Sequence, residues 1–558
     1  MAVDRIDAAL FAKMFLAGAQ NLSDNKDWIN ELNVFPVPDG DTGTNMTMTI
    51  MSAVRELEAL QDVDMKSLCK CISSGSLRGA RGNSGVILSQ LFRGFTKTVR
   101  STDAIDIPLI ADGFEKAVET AYKAVIKPKE GTILTVAKGM AEISRKLVDA
   151  QMPVEEYLKN IIDYGNEILA KTPEMLPVLK EAGVVDSGGQ GLMTILEGAY
   201  GALTGKEIEI TIIGGKKSEN TAEEEKEAPV QIRKKNVYFE EFIINTAKQL
   251  SPALIDDLHG FLAASGECAV VSSEGKKVKV YLRTDDPGMV LTKAMSYGPV
   301  SDISITNSTI EKHENRLFRD PEKALADQMA EKAAKETPAK EMGFIAVSCG
   351  NGFEEIFKGL GADYVVSGGQ TMNPSTEDLI NAIDKVNAKN VFLLPNNKNI
   401  IMAAKQAKEL VQEKSIIVIE TKTVPQGISA LLALEPEKSA VENQQLMTEA
   451  VGHVQTAELT YAIRDTSIDG VEIHQGDIMA VGDHGILDVE KDVRKAASGA
   501  LEKMITDDSE LVSIYFGQDY SEENAQRIAQ DVQEKYPDID VAVENGGQPV
   551  YYCILSVE

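Results

Sequence analysis

Apolar residues recur at the spacing of an amphipathic helix through 4–20, 44–60, 83–98, 107–126, 132–149, 153–170 and 188–204. That repetition leaves little room for strands, so residues 1–212 are expected to be almost all helix. Gly, Pro and Asp collect at the joints. Three joints share a chemistry: Asp39 to Asn45, then Gly79-Ala80-Arg81-Gly82-Asn83-Ser84-Gly85, then Val185-Asp186-Ser187-Gly188-Gly189-Gln190-Gly191. Each precedes a helix. In a bundle such joints can converge at one end and surround a single ligand.

The pattern then changes. Residues 214–234 are charged and poor in apolar side chains, which reads as a linker. Residues 236–310 alternate as strand (Val237–Ile244), helix (Pro252–Ala264), strand (Glu267–Ser272), strand (Lys277–Arg283), helix (Asp286–Tyr297) and strand (Val300–Thr306). That order, βαββαβ, is the ferredoxin-like arrangement. Residues 311–341, rich in Ala, Glu and Lys, read as a connecting helix or second linker. Beyond them, β-rich runs at Gly343–Ser348, Tyr364–Ser367, Val391–Leu394 and Ile416–Glu420 alternate with helix-length segments, predicting a parallel sheet. Residues 455–558 mix strands with a helix at Glu522–Lys535 and end in a strand, Val550–Ser556. The expected division is 1–212, a linker at 213–235, a middle domain at 236–312, a connection at 313–341 and an α/β domain at 342–558. A length of 558 residues suits several cores better than one.

Net charge is −29, which opposes nucleic acid or an anionic membrane as partner, since both need a basic footprint. No run of about 18 apolar residues predicts a membrane span. The residues from Met1 to Gln20 form an amphipathic pattern carrying Asp4, Arg5 and Asp7, unlike a signal or transit peptide. The cysteines (Cys69, Cys71, Cys268, Cys349, Cys553) are scattered without a CxxC pair, which fits a reducing cytoplasm.

The chemistry concentrates in Asn33-Val34-Phe35-Pro36-Val37-Pro38-Asp39-Gly40-Asp41-Thr42-Gly43-Thr44-Asn45-Met46. Two prolines hold the backbone extended before the turn. Asp39 and Asp41 can turn toward one hard cation, and Gly40 and Gly43 let backbone approach a ligand. Thr44 or Asn45 can cap the following helix, whose first N–H groups favour an anion. Carboxylates for Mg²⁺ beside amides for phosphate describe a metal–nucleotide site. Asp-Gly-Asp also makes an ordinary turn, and Gly79–Gly85 an ordinary tight helix start. A calcium EF-hand does not fit, because the twelfth position from Asp39 is Ile50. No Walker A motif and no protein-kinase signature set occur.

The stretch from Leu32 to Met46, Gly79–Gly85, Ala121-Tyr122-Lys123-Ala124-Val125, Glu130-Gly131-Thr132-Ile133-Leu134 and Thr172-Pro173-Glu174-Met175-Leu176-Pro177 resemble the ADP-binding L subunit of dihydroxyacetone kinase. With Val366–Ser375, Leu394–Ile400 and Thr421–Leu432 added, nearly the whole chain resembles the A-subunit family of bacterial fatty acid kinase. The resemblance implies an eight-helix N-terminal barrel (DhaL-like) holding ATP with two Mg²⁺. It implies Asp39 and Asp41 as metal ligands, with Asn33 a further candidate near a position where the related kinase carries an Asp. Thr42, Thr44, Asn45, Gly82, Asn83, Ser84 and Gly85 become phosphate or nucleoside contacts, and Asp186 and Gly188 close the adenosine side.

The implied substrate is a fatty acid presented by a separate binding protein of the DegV-like family. The implied product is an acyl phosphate for phospholipid synthesis, and the implied assembly is a homodimer. A fatty carboxylate, with a pKa of about 4 like that of Glu, is already ionised and needs no general base. That agrees with the position of the histidines (His259, His313, His453, His474, His484), all outside the helical region. The chain departs from the family at a zinc site. Where a Tyr-Cys-Thr-Glu-Phe stretch and a His-x-His-Thr stretch supply ligands in many members, this chain has Tyr238-Phe239-Glu240-Glu241-Phe242 and Tyr281-Leu282-Arg283-Thr284. No structural zinc is expected, with Phe239, Tyr281 and Leu282 packing instead. Gly368-Gly369-Gln370-Thr371 and Asn396-Asn397-Lys398-Asn399 read either as strand-end turns or as a docking surface for the carrier. The rival functions are a dihydroxyacetone-like small-molecule kinase and a nucleotide-sensing adaptor without turnover.

Overall fold

Helices dominate the first two hundred residues because their apolar stripes repeat and acidic caps start several of them. Asp7, Asp64, Asp106 and Asp186 each accept a backbone N–H of the helix that follows. The computed structural model describes residues 4–34, 40–60, 63–125 and 127–205; most of 238–307 (without 247, 249–253, 256–257, 259–260, 263–265, 275 and 285–286); and 339–558 without 370–371, 463–465, 469–470 and 484. Asp39, the linker at 214–234, most of the connection at 313–341, and His259, His313 and His484 lie outside the described residues. So do the side chains of Phe239, Cys268, Tyr281 and Leu282, on which the zinc question turns.

The helical part comprises α1 (Ala8–Asp24), α2 (Lys26–Glu31), α3 (Thr42–Glu58), α4 (Met65–Arg78), α5 (Gly82–Val99), α6 (Ile107–Ala124), α7 (Ile133–Leu147), α8 (Val154–Met175), α9 (Pro177–Ala182) and α10 (Ser187–Thr204). A short antiparallel pair, β1 (Ile6–Asp7) with β2 (Ala104–Ile105), ties the start of α1 to the loop before α6. Helix α4 is the element that periodicity missed. Its run is rich in Ser, Gly and Cys, but Asp64 and Ser67 form a reciprocal capping box, and Met65, Leu68 and Ile72 bury one stripe. Successive long helices pack on one another, and α10 returns to α1. Helix α10 also reaches across to α3 and α7, and the helices pack as a bundle around one filled core. Among the described residues no helix is long and apolar enough to cross a membrane.

The chain divides into two compact units, one joining residues 1–217 to 339–558 and one spanning 218–338. The second unit carries β3 (Tyr238–Asn245), β4 (Gly266–Glu274), β5 (Lys277–Thr284), α11 (Pro287–Met295) and β6 (Val300–Asn307). Its sheet order is β4-β5-β3-β6, antiparallel throughout, the strand order of a split βαβ arrangement. Phe242, Ile244, Val278 and Val280 pack under Val290 and Ala294 of α11.

In the first unit, the α/β part begins with β7 (Lys340–Ser348), α12 (Asn351–Gly359), β8 (Tyr364–Ser367), α13 (Thr376–Lys385), β9 (Ala388–Leu394), α14 (Ile401–Leu410) and β10 (Ser415–Val418). These strands form a parallel sheet in the order β10-β9-β7-β8. Strand β7 is buried continuously from Gly343 to Ser348, as a parallel strand covered on both faces must be. Helices α15 (Val424–Leu432) and α16 (Ala440–His453) lead to β11 (Gln455–Tyr461), the hairpin β12 (Thr466–Ile468) and β13 (Val471–Ile473), then β14 (Ile478–Gly482) and β15 (Gly485–Glu490). Helix α17 (Val493–Met504), β16 (Leu511–Phe516), α18 (Glu522–Lys535), β17 (Asp540–Asn545) and β18 (Cys553–Val557) complete it. The second sheet runs β15-β14-β11-β18-β16-β17, with only β16 and β17 parallel. Tyr515 and Ile554 from this sheet share a core with Phe344, Phe392 and Leu394 from the first.

Candidate functional site

The start of α3 is built for close approach. Gly40 has φ +64°, a left-handed conformation that glycine adopts without strain. Asp41 occupies the N-cap position of α3, yet its side chain makes no cap hydrogen bond there. It is only 8% exposed, and the amide Nδ2 of Asn373 donates to its Oδ2 at 2.6 Å. Asn30 of α2 clamps the first turn from outside. The Thr44 N–H donates to Asn30 Oδ1 at 3.0 Å, and Asn30 Nδ2 donates to Thr44 Oγ1 at 2.9 Å. A Cβ at Gly43 would overlap the Lys26 carbonyl, so α2 and α3 touch only because that position has no side chain. Thr42, Asn45 and Asn33 are buried beside this turn.

The start of α5 lies directly against it. Gly82 has φ +59°, and a Cβ there would come within 2.5 Å of Asn45 Nδ2. A Cβ at Gly85 would overlap Thr49 Oγ1 and sit 3.2 Å from the Asn45 carbonyl. Thr49 joins the two joints by accepting from the Arg81 N–H at 3.3 Å and donating to the Asn45 carbonyl at 2.7 Å. The cap position of α5 is Arg81, whose side chain can only donate, so it supplies no cap bond. Two helix starts, α3 and α5, thus meet without a cap bond from their own N-cap side chains; Asn30 takes the Thr44 N–H, and the other first-turn amides suit an anion. Asn83 and Ser84 are half-buried in this first turn, and Gly85 is buried.

The third joint adjoins the first but differs chemically. Asp186 spends its carboxylate on its own helix, accepting the Gly189 N–H at 2.7 Å. Burial pushes its acid up to about 6, against the pull of the Gly189 and Ile133 amides. The Asp186 N–H donates to Thr172 Oγ1 at 3.1 Å. A Cβ on Gly188 would sit 3.3 Å from Ile133 Cβ, and one on Gly191 would sit 2.7 Å from Met46 Sδ. The α10 start therefore lies between the α7 start and the first turn of α3. The starts of α3, α5, α7 and α10 thus adjoin one another at this end of the bundle.

The α/β part also reaches this end. Arg81 Nη1 donates to the Asn373 carbonyl at 3.1 Å, and Arg81 Nη2 stands 3.5 Å from Asp378 Oδ2. The Thr376 N–H donates to the Ala80 carbonyl at 3.1 Å. Asn83 Nδ2 donates to Asn399 Oδ1 at 3.0 Å, and Gln406 Nε2 to the Leu77 carbonyl at 2.6 Å. Ala80 and Val86 belong to the same apolar core as Ile345, Val366 and Leu379. Asn373, Asn396 and Asn399 are buried within the chain, while Gly368, Asn397 and Lys398 are half-buried. Sequence reading missed Asn30, Thr49, Arg81 and Asn373 as parts of the site. Arg81 lay inside a motif already singled out, while Asn373 follows the turn residues of a loop whose contact with Asp41 no local pattern encodes.

The donor set fits a hard divalent cation. Mg²⁺ commonly takes one or two carboxylates and completes its shell with phosphate oxygens and water. Asp41 offers a buried carboxylate that does not cap its own helix, next to amides suited to phosphate. Among the described residues no group of three or more His, Cys, Asp or Glu forms an all-protein metal cage.

Comparison with known proteins agrees with this architecture. Residues 36–201 match the DAK2 domain, 235–315 the middle domain of proteins like the A-subunit of fatty acid kinase, and 343–558 the C-terminal region of the same proteins. Protein YloV of Bacillus subtilis (strain 168) is 40% identical over 565 residues, covering 100% of both chains. An uncharacterized protein of Staphylococcus aureus (strain MRSA252) is 40% identical over 559 residues, again covering 100% of both. Among solved structures, a DegV family protein of Corynebacterium glutamicum aligns at 15% identity over 39% of this chain and 96% of its own, with a TM-score of 0.32. The dihydroxyacetone kinase of C. freundii, in complex with AMP-PNP and Mg²⁺, aligns at 15% identity over 39% of this chain and 48% of its own, with a TM-score of 0.29. Those two scores are too low to establish a shared fold. On the full-length identity and the succession of matched regions, the chain belongs to the fatty acid kinase A-subunit-like family of DAK2-domain proteins.

Proposed function

We propose that this chain transfers the γ-phosphoryl group of ATP to the carboxylate of a fatty acid, presented by a fatty-acid-binding partner, giving an acyl phosphate for phospholipid synthesis. The observation that carries the reading is the meeting of the acid–glycine turn with the uncapped α5 start, with Asp41 buried between them and the α/β part. Membership in the family supports the choice of acceptor.

In this reading Asp39 and Asp41, with Asn33 nearby, hold Mg²⁺, of which two ions are expected. Bound Mg²⁺ supplies charge neutralisation on the transferring phosphate. Thr42, Thr44, Asn45 and the Gly82–Gly85 turn bind phosphates and nucleoside, using backbone amides where glycine admits close approach. Gly188 borders the adenosine side, and Asp186 serves there by ordering its turn. One carboxylate oxygen of the fatty acid forms a bond to the γ-phosphorus as the bond from that phosphorus to the bridging β-oxygen breaks. ADP leaves, and no proton need move, because the acceptor is already ionised. The chain's task is to hold the reactants in line and keep water out. The reading also includes a DhaL-like barrel for residues 1–212, a middle domain at 236–312, an α/β domain at 342–558 involved in carrier docking, a homodimer and a cytoplasmic location.

The test uses purified chain, ATP, Mg²⁺, a fatty-acid carrier loaded with oleate and, separately, dihydroxyacetone. ADP and acyl phosphate formed in equal amounts, and only with the loaded carrier, are expected. ADP formed only with dihydroxyacetone would assign a small-molecule kinase. Nucleotide binding without turnover under every condition would assign an adaptor.

A further inference from the structure

We infer that Asn373, delivered by the loop after β8 of the α/β part, is a positioning residue for the metal carboxylate Asp41; this rests on the kinase reading above. Its amide donates to Asp41 Oδ2 at 2.6 Å, and both residues are buried. One oxygen is thereby oriented, which fixes the plane that the carboxylate presents to a cation. Carboxylates that bind metals are commonly held by an outer hydrogen-bond donor of this kind, which fixes the side chain's rotation before the ion arrives.

The surroundings of Asn373 favour this role over that of a loose plug competing with the cation. Arg81 Nη1 holds the Asn373 carbonyl at 3.1 Å. Pro374 follows and restricts Asn373 to extended backbone. Ser375 and Asp378 form a reciprocal capping box that starts α13. The Thr376 N–H then donates to the Ala80 carbonyl, so the loop is riveted to the joint that begins α5. On the other side, the Gly369 N–H donates to the Met372 carbonyl at 3.0 Å and closes the loop behind it. These bonds fix the backbone from which the Asn373 amide reaches Asp41. The same glycine turn that faces the phosphate, through Arg81, thus sets the carboxylate that faces the metal. Metal affinity of the helical part becomes a property of the α/β part as well.

The experiment measures Mn²⁺ binding by electron paramagnetic resonance on the full chain, with adenylyl imidodiphosphate as a nucleotide that is not turned over. The variants are Asn373→Ala and Asn373→Gln. Asn373→Ala keeps the backbone carbonyl that Arg81 holds. It should weaken Mn²⁺ binding about ten- to a hundredfold, with the proteolysis pattern of the wild type and a thermal transition lowered only modestly by the lost hydrogen bond. Asn373→Gln, which retains a donor on a longer stem, should recover part of the loss. Binding by Asn373→Ala within threefold of wild type, or tighter, overturns the inference while leaving the kinase reading standing. Equal loss in both variants also overturns it, since the donor would then not be what matters. Failure of the wild-type chain itself to bind Mn²⁺ with the nucleotide would instead bring down the kinase reading, and this inference with it.

Discussion

The starts of α3 and α10 make an instructive pair. Each places an aspartate at the N-cap of a glycine-rich first turn, and each aspartate is buried. Asp186 turns inward and caps its own helix at Gly189. Asp41 makes no such bond, and its carboxylate is held by Asn373, more than three hundred residues away in sequence. One acid finishes its own helix, and the other is tied instead to a distant loop. A site acid can be distinguished from a structural one by asking whether its nearest helix has already claimed it.

The strongest way to break that contrast is to exchange the two acids' fates. Asp41→Ala should lower phosphoryl transfer about a thousandfold or more, about 4 kcal/mol of barrier. It should cost the fold only about 1–2 kcal/mol for the stranded Asn373 amide. Asp186→Asn, which can still accept at the cap, should keep turnover within about tenfold. Steady-state rates beside urea unfolding curves read both quantities. Equal losses of rate in the two variants would erase the distinction.

Asp186 can also be tested through pH. Burial raises its folded value to about 6, above the ordinary 3.8 of the unfolded chain. The native state therefore holds this proton more tightly. The stability it contributes is complete below about pH 4 and is lost as pH rises through about 6. The size is about 3 kcal/mol, at roughly 1.36 kcal/mol for each tenfold difference in proton affinity. Urea unfolding of wild type and Asp186→Asn should therefore diverge in favour of the variant between pH 4 and pH 7. A constant difference across that window would mean that Asp186 titrates normally.

Much of the fold is legible in the residues alone. The helical periodicity of the first 200 residues, the order of strands in 342–432 and the helix at Glu522–Lys535 are local signals, and the structure carries each of them. So is the close approach of Gly82 and Gly85 to Asn45 and Thr49 of α3, because two glycine-containing helix starts advertise such contact. Helix α4 escaped because its Ser, Gly and Cys residues blur the apolar stripe. The contacts of Arg81 with Asn373, and of Asn83 with Asn399, escaped for a different reason. They join loops hundreds of residues apart, and asparagine at a strand end looks the same whether it faces solvent or another helix start.

The glycines sharpen the comparison at smaller scale. Gly85→Ala would drive a methyl into Thr49 Oγ1 where α3 and α5 meet, and should cost about 2 kcal/mol through overpacking. Gly188→Ala meets its nearest neighbours only at 3.3 Å and gains helix propensity, so it should be nearly neutral. Thermal unfolding of the two variants should separate them by about 4–8 °C in a domain-sized transition. Similar midpoints would mean that the α5 start can yield to make room for the methyl.

The smallest effect concerns how the α/β part is held. Gln406 Nε2 donates to the Leu77 carbonyl at 2.6 Å, filling an acceptor at the end of α4, and its Oε1 accepts from Gln90 Nε2 at 3.3 Å. Gln406→Leu leaves that carbonyl buried without its donor and should cost about 1 kcal/mol. It shares no hydrogen-bond partner with Asp41, so the two substitutions should add within about 0.5 kcal/mol in a double-mutant cycle on stability. Coupling well beyond that would show that the hold on α4 and the hold on Asp41 act as one unit. The α3 start would then owe the orientation of its acid to the whole interface and not to Asn373 alone.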